Sequence, residues 1–218
     1  MKIKVCGMRD PQNILSLAEL KPDYMGLIFY PKSKRYVADP DKNILASLPA
    51  SISLTGVFVD EREEDVIKKV VDFDLSAVQL HGAESPEYCI SLKIKLNEVL
   101  PDKHIELIKA FGVYPGFDFS TLEAYNEVVD YFLFDTKTSE HGGSGIAFDW
   151  TILDQYDGEK QFFLSGGLSP DNIDGLFNLA TKKIYALDLN SRFETEPGLK
   201  NIDSLRSAFQ LIRASKIS

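Results

Sequence analysis

Short, near-continuous apolar runs alternate with amphipathic stretches from one end of this chain to the other. The first run, Ile3-Lys4-Val5-Cys6, stops at Gly7. Seven more follow at 24–29, 52–59, 77–80, 105–111, 131–135, 162–165 and 184–188. Runs of this length and apolarity predict parallel strands covered on both faces. The stretches between them carry helical spacing. Ile14, Leu17 and Ala18 share one face, as do Ile67, Val70 and Val71, while Leu205, Ala208, Phe209 and Ile212 form a core-facing stripe near the C-terminus. Helix starts are marked by Asp10-Pro11, by Asp60 before the third helix, by Ser85-Pro86 before the fourth and by Ser169-Pro170 before the seventh.

Eight strand–helix units in 218 residues predict a single-domain α/β structure, a closed (β/α)8 TIM barrel over residues 1–218. An open doubly wound sheet would have fewer strands and a switch point. No linker, low-complexity stretch or second apolar core breaks the pattern. At 44% hydrophobic and 26% charged, the chain has an ordinary globular composition.

The net charge of −9 argues against a general nucleic-acid binder, because no basic stripe is available to displace phosphate counterions. It leaves open an anionic small molecule, held locally by backbone N–H groups and one or two cations. No apolar run approaches membrane-spanning length, and Met1-Lys2-Ile3-Lys4 lacks the apolar stretch of a signal peptide. Cys6 and Cys89 are the two cysteines, a poor disulfide framework. The expectation is a reduced, cytoplasmic enzyme with no membrane or nucleic-acid partner, as monomer or homodimer.

Barrels of this kind keep their chemistry at the C-terminal ends of the strands. Glycine and serine concentrate there in 139–145, in 165–167 and after Asp188. Gly166 and Gly167 follow the seventh strand, where a backbone free of side chains can approach a phosphate; a plain turn before a capped helix would read the same. Asp135 ends the sixth strand. A carboxyl beside apolar groups keeps a proton that it can donate, although an inward Lys137 would oppose this, and a strand-end Asp also caps turns. Arg35, in the loop after the second strand, supplies a planar fork for a carboxylate, or is part of a solvated basic turn. Cys6 is either an inert buried thiol or a base whose proton is loosened by nearby cations. Cys89 reads as packing, His81 as a hydrogen-bonding partner near a strand end, and His104 as a residue of the opposite face. His141 lies in the glycine-rich loop after the sixth strand. The three histidines have no ligand spacing, so no metal site is expected.

Taken together, these motifs resemble the phosphoribosylanthranilate isomerase family over essentially the whole chain. The resemblance is carried by Lys4-Val5-Cys6-Gly7, Ser33-Lys34-Arg35-Tyr36-Val37, Gly56-Val57-Phe58-Val59, Gln79-Leu80-His81-Gly82 and Phe134-Asp135. It continues in Gly142-Gly143-Ser144-Gly145, Phe148-Asp149-Trp150, Ser165-Gly166-Gly167-Leu168 and Pro197-Gly198. It implies an Amadori rearrangement of N-(5′-phosphoribosyl)anthranilate, a step of tryptophan biosynthesis, without a cofactor. By resemblance Asp135 is the general acid and Cys6 the general base, and Arg35 takes the anthranilate carboxylate. Gly166 and Gly167, with the segment after Asp188 that contains Asn190 and Ser191, take the phosphate, Asp188 itself is a substrate-binding residue, and Gly142 and Gly143 belong to a mobile loop over the sugar.

Two departures stand out. The family usually reads Asp-Val-Ser-Ser-Gly-Val-Glu after the eighth strand, where this chain has Asp188-Leu189-Asn190-Ser191-Arg192-Phe193-Glu194. Arg192 in place of glycine brings the backbone shape into question and offers another cation. Gly112 stands where many relatives have a larger polar residue. Among rivals, a ribulose-phosphate epimerase would need metal-binding His and Asp at strand ends. Indole-glycerol-phosphate synthase would need an N-terminal extension and catalytic lysines. A barrel that only binds a phosphorylated ligand would have no use for both Cys6 and Asp135.

Overall fold

The protein is described by a computed structural model that covers residues 1–136, 150–178 and 183–214. Eight parallel strands close into a barrel in simple sequence order, with β1 (Lys2–Cys6) hydrogen-bonded to both β2 (Tyr24–Ile28) and β8 (Ile184–Leu189). Between these lie β3 (Ser53–Phe58), β4 (Ala77–Leu80), β5 (Glu106–Val113), β6 (Tyr131–Thr136) and β7 (Phe162–Ser165). Each expected strand is present to within a residue or two at either end.

Alternation along each strand divides the apolar residues between two cores. Ile3, Val5, Met25, Leu27, Phe132 and Phe134 point outward into the layer shared with the helices. Tyr24, Ala77, Ile108, Leu133, Phe163 and Ala186 point inward and fill the barrel's interior. Aromatic rings close its N-terminal end: Tyr131 stacks on Tyr185 with centroids 4.3 Å apart, and Tyr24 meets Phe163 edge-on at 5.1 Å.

The helices differ between the two halves. After β1, β3 and β4 come α1 (Pro11–Ala18), α3 (Glu63–Asp72) and α4 (Pro86–Val99), and after β2 the short α2 (Lys42–Ala46). Asp10 caps α1 by accepting from the Asn13 amide, and Ser85 caps α4 by accepting from that of Tyr88. The units after β5, β6 and β7 have only 3₁₀ turns at Phe119–Tyr125, Trp150–Gln155 and Ile173–Asn178 among the described residues. The regular pattern returns with α5 (Ile202–Ala214), which buries the predicted stripe. A small antiparallel hairpin, β9 (Glu194–Glu196) and β10 (Leu199–Lys200), lies between β8 and α5.

Three local expectations are corrected. Asp60 does not cap α3: Arg62 holds that position, and the Asp60 carboxylate instead accepts from the Ala83 amide at 2.6 Å. The acidic first turn of α3, Glu63, Glu64 and Asp65, provides the favourable dipole interaction in its place. Val71 faces solvent, because the buried stripe of α3 runs through Val66 and Val70. Ser169 starts no helix at once; the Asn172 side chain accepts from its amide at 2.8 Å, and the turn begins at Ile173.

No described helix is long and apolar enough to cross a membrane.

Candidate active site

The inward alternation that places Lys4 inside β1 also places Cys6 inside, at the strand's C-terminal end. Gly26 on β2 makes room for the thiol, since a methyl group there would stand 2.8 Å from Cys6 Sγ. Gly7 follows with φ +80°, the left-handed region open to glycine. A side chain on Gly7 would lie 2.6 Å from Cδ of Arg35, so this turn brings Arg35 close over the end of β1.

Arg35 is already oriented. Its Nε donates to Glu194 Oε1 at 2.8 Å and its Nη2 to Oε2 at 2.6 Å. Glu194 is held from the other side by Lys200, whose Nζ donates to Oε1 at 2.6 Å and to Asn190 Oδ1 at 2.8 Å. Asn13 of α1 fixes the hairpin that carries both groups, accepting from the Lys200 amide at 2.8 Å and donating to its carbonyl at 2.9 Å. Arg35 and Lys200 hold the Glu194 carboxyl below its usual range against a burial that would raise it.

A polar layer crosses the barrel just beneath the mouth. Lys4 Nζ donates to Asp188 Oδ2 at 2.9 Å and to Gln79 Oε1 at 2.7 Å. Gln79 Nε2 lies 2.8 Å from His81 Nδ1, and His81 Nε2 lies 3.4 Å from Asp135 Oδ2. Burial works against the Lys4 ammonium, but the charges of Asp188 and Cys6 outweigh it and keep Lys4 above its ordinary value. Burial likewise lifts Asp188, with Lys4 pulling the other way. The Cys6 thiol is pushed up, first by burial and then by Asp188, while the cations of Lys4 and Lys200 oppose the shift. Asp188 Oδ1 is buried and has no hydrogen-bond partner among the described residues.

One cavity at the C-terminal face collects these groups. Cys6, Arg35 and Asp135 line it together with Asp188, Asn190 and Ser191. Gly166 and Gly167 complete its rim, with φ +81° and +68°, so the chain curls inward directly after β7. The Asn172 side-chain NH2 holds that curl by donating to the Gly167 carbonyl at 2.7 Å. Asp135 enters from β6, opposite Gly112 in the strand register. Arg192 is exposed, has no left-handed backbone and does not line the cavity, so the glycine replaced here was not needed for the turn. Gly142, Gly143, His141 and Lys137 lie outside the described residues. Among the described residues, no group of three or more His, Cys, Asp or Glu side chains could hold a metal ion.

Sequence reasoning assigned no role to Lys4, Gln79, Glu194, Lys200 or Asn13. Lys4 and Gln79 do leave a signal: a polar residue two places before a mouth residue on the same strand shares its inward face. Glu194, Lys200 and Asn13 leave none, because the contacts that set the hairpin against the site, Arg35 with Glu194 and Asn13 with Lys200, join segments 159 and 187 positions apart.

The family profile described as "PRAI: N-(5'phosphoribosyl)anthranilate (PRA) isomerase" matches residues 3–211. An N-(5'-phosphoribosyl)anthranilate isomerase of Parabacteroides distasonis is 44% identical over 214 residues, 97% of this chain and 93% of that protein. The crystal structure of phosphoribosyl anthranilate isomerase from Thermotoga maritima superposes with a TM-score of 0.83 at 36% identity, covering 99% of this chain and all (100%) of that one. Another crystal structure of phosphoribosyl anthranilate isomerase, in complex with reduced 1-(o-carboxyphenylamino)-1-deoxyribulose 5-phosphate, gives a TM-score of 0.81 at 32% identity, covering 99% of this chain and 100% of that one. With a closed barrel, one polar mouth and matches along nearly its whole length, this chain belongs to the N-(5'-phosphoribosyl)anthranilate isomerase family.

Proposed function

We propose that this chain, as one barrel domain, converts N-(5′-phosphoribosyl)anthranilate to 1-(2-carboxyphenylamino)-1-deoxyribulose 5-phosphate, with Asp135 as general acid and Cys6 as general base. Supporting this reading above all is one observation: a thiol from β1 and a carboxyl from β6 line the same cavity. Asp135 gives its proton to the ribose ring oxygen as the C1′–O bond breaks, and the nitrogen lone pair closes the iminium. Cys6 then removes the C2′ proton, and the C–H electrons move into the C1′–C2′ bond while the iminium nitrogen regains its pair. The enolamine tautomerises to the ketone. The substrate's own iminium accepts the electrons, so the sequence of steps balances without an external electron carrier.

The other groups bind. Arg35 offers the anthranilate carboxylate the guanidinium edge that Glu194 does not occupy. Gly166 and Gly167, with Asn190 and Ser191, surround the phosphate, and the unpartnered Asp188 Oδ1 accepts from a sugar hydroxyl. A free Cys6 suits a reducing compartment, and we assign the enzyme to the cytoplasm.

The assay is the loss of phosphoribosylanthranilate fluorescence. Cys6→Ser and Asp135→Asn are each expected to lower kcat by about 10²–10⁴, the contribution of one positioned acid or base. Near-normal turnover in either variant removes that residue from its role.

A further inference from the structure

The polar layer beneath the mouth also determines where a proton sits on His81. Lys4 Nζ carries only donors, so the Gln79 atom 2.7 Å from it must be the side-chain oxygen. That contact fixes the amide's orientation, which the shape of a Gln side chain alone would leave ambiguous. Gln79 therefore turns its NH2 toward His81 Nδ1, 2.8 Å away. An NH2 facing a ring nitrogen requires a lone pair on that nitrogen. The ring proton then belongs on Nε2, the atom 3.4 Å from Asp135 Oδ2.

We propose that Lys4 and Gln79 lock His81 in the tautomer protonated on Nε2, so that its N–H steadies Oδ2 of Asp135 and leaves the other carboxyl oxygen to deliver the proton to substrate. His81 and Gln79 are thus positioning residues, and the proposal rests on the reading of Asp135 as the acid. The 3.4 Å separation is longer than a hydrogen bond, so the proposal requires the contact to tighten when substrate fills the mouth, as contacts of unliganded catalytic groups commonly do. The same layer runs on through Lys4 to Asp188, so five side chains from β8, β1, β4 and β6, with His81 just beyond the end of β4, make a continuous chain of contacts under the cavity.

The direct test is the ¹⁵N spectrum of the full chain labelled at histidine. Only three histidines contribute, and His81→Asn identifies the ring of interest by its disappearance. The expected result near neutral pH is a pyridine-like Nδ1 and a pyrrole-like Nε2 for His81. A proton on Nδ1, or a rapid mixture of tautomers, overturns the proposal. Gln79→Glu keeps an acceptor for Lys4 but presents an oxygen to Nδ1, so the His81 signals should move to a form protonated at Nδ1. Unchanged signals in that variant also overturn it. His81 is one-third exposed, so His81→Asn should fold; its kcat should fall about tenfold, the equivalent of one hydrogen bond, with KM changed less than about twofold. An undiminished kcat counts against the positioning role. Near-normal turnover of Asp135→Asn would instead sink the acid assignment, and the ring spectrum distinguishes the two failures.

Discussion

The barrel's interior has two ends of opposite character. The N-terminal end is filled by Tyr24, Ile108, Leu133, Phe163 and Ala186, whose rings and methyl groups interlock. The C-terminal end holds Lys4, Gln79 and Asp188, all buried, joined by hydrogen bonds below 3 Å. Apolar packing gains free energy from area removed from water, in any orientation that fills the space. The ionic layer gains little net stability from its charges, because burial offsets their attraction, but it fixes direction. One end therefore supports the fold and the other aims Cys6, His81 and Asp135 at a common point.

Phe163→Ala is the sharpest way to break the comparison. A cavity in the apolar end should destabilise the protein by about 3–5 kcal/mol in chemical denaturation, with the kcat of the folded fraction little changed. A kcat that falls at intact stability would mean that the two ends are not separable. Arg35→Ala should cause a smaller loss, raising KM through about 1.5–3 kcal/mol of charge-assisted binding while kcat holds. An unchanged KM takes Arg35 out of the site. Lys200→Met should have the mildest effect. Cys6 must be deprotonated to act, so kcat/KM rises with pH through the Cys6 titration, which burial has moved upward. Removing the Lys200 cation makes the thiolate costlier and shifts that rise to still higher pH. A profile that stays in place would show that Lys200 serves the hairpin alone.

Much of the site was legible because it is local. Cys6, Asp135 and Asp188 each lie at or within a residue of the end of an apolar run, and Gly166 and Gly167 directly follow one, so period-two strands brought all five to one mouth. The 3₁₀ turns after β5, β6 and β7 were less legible, since apolar spacing alone does not separate a short tight turn from a helix. The Asp60 cap misled for a related reason: its carboxylate found the Ala83 amide, 23 residues away, before it could serve its own helix.

From the sequence alone come the eight strands, their closure into a barrel, the family, and eight of the residues that border the cavity, because burial patterns and turn chemistry act over a few residues. Only the closed structure decided that Lys4 meets Asp188 across 184 positions, that Glu194 grips Arg35 across 159, and that Gln79 faces His81 with its NH2. Those pairings depend on how far each strand is staggered when the ring closes and on which donors find which acceptors inside it. Both are properties of the assembled barrel, and no single segment carries them.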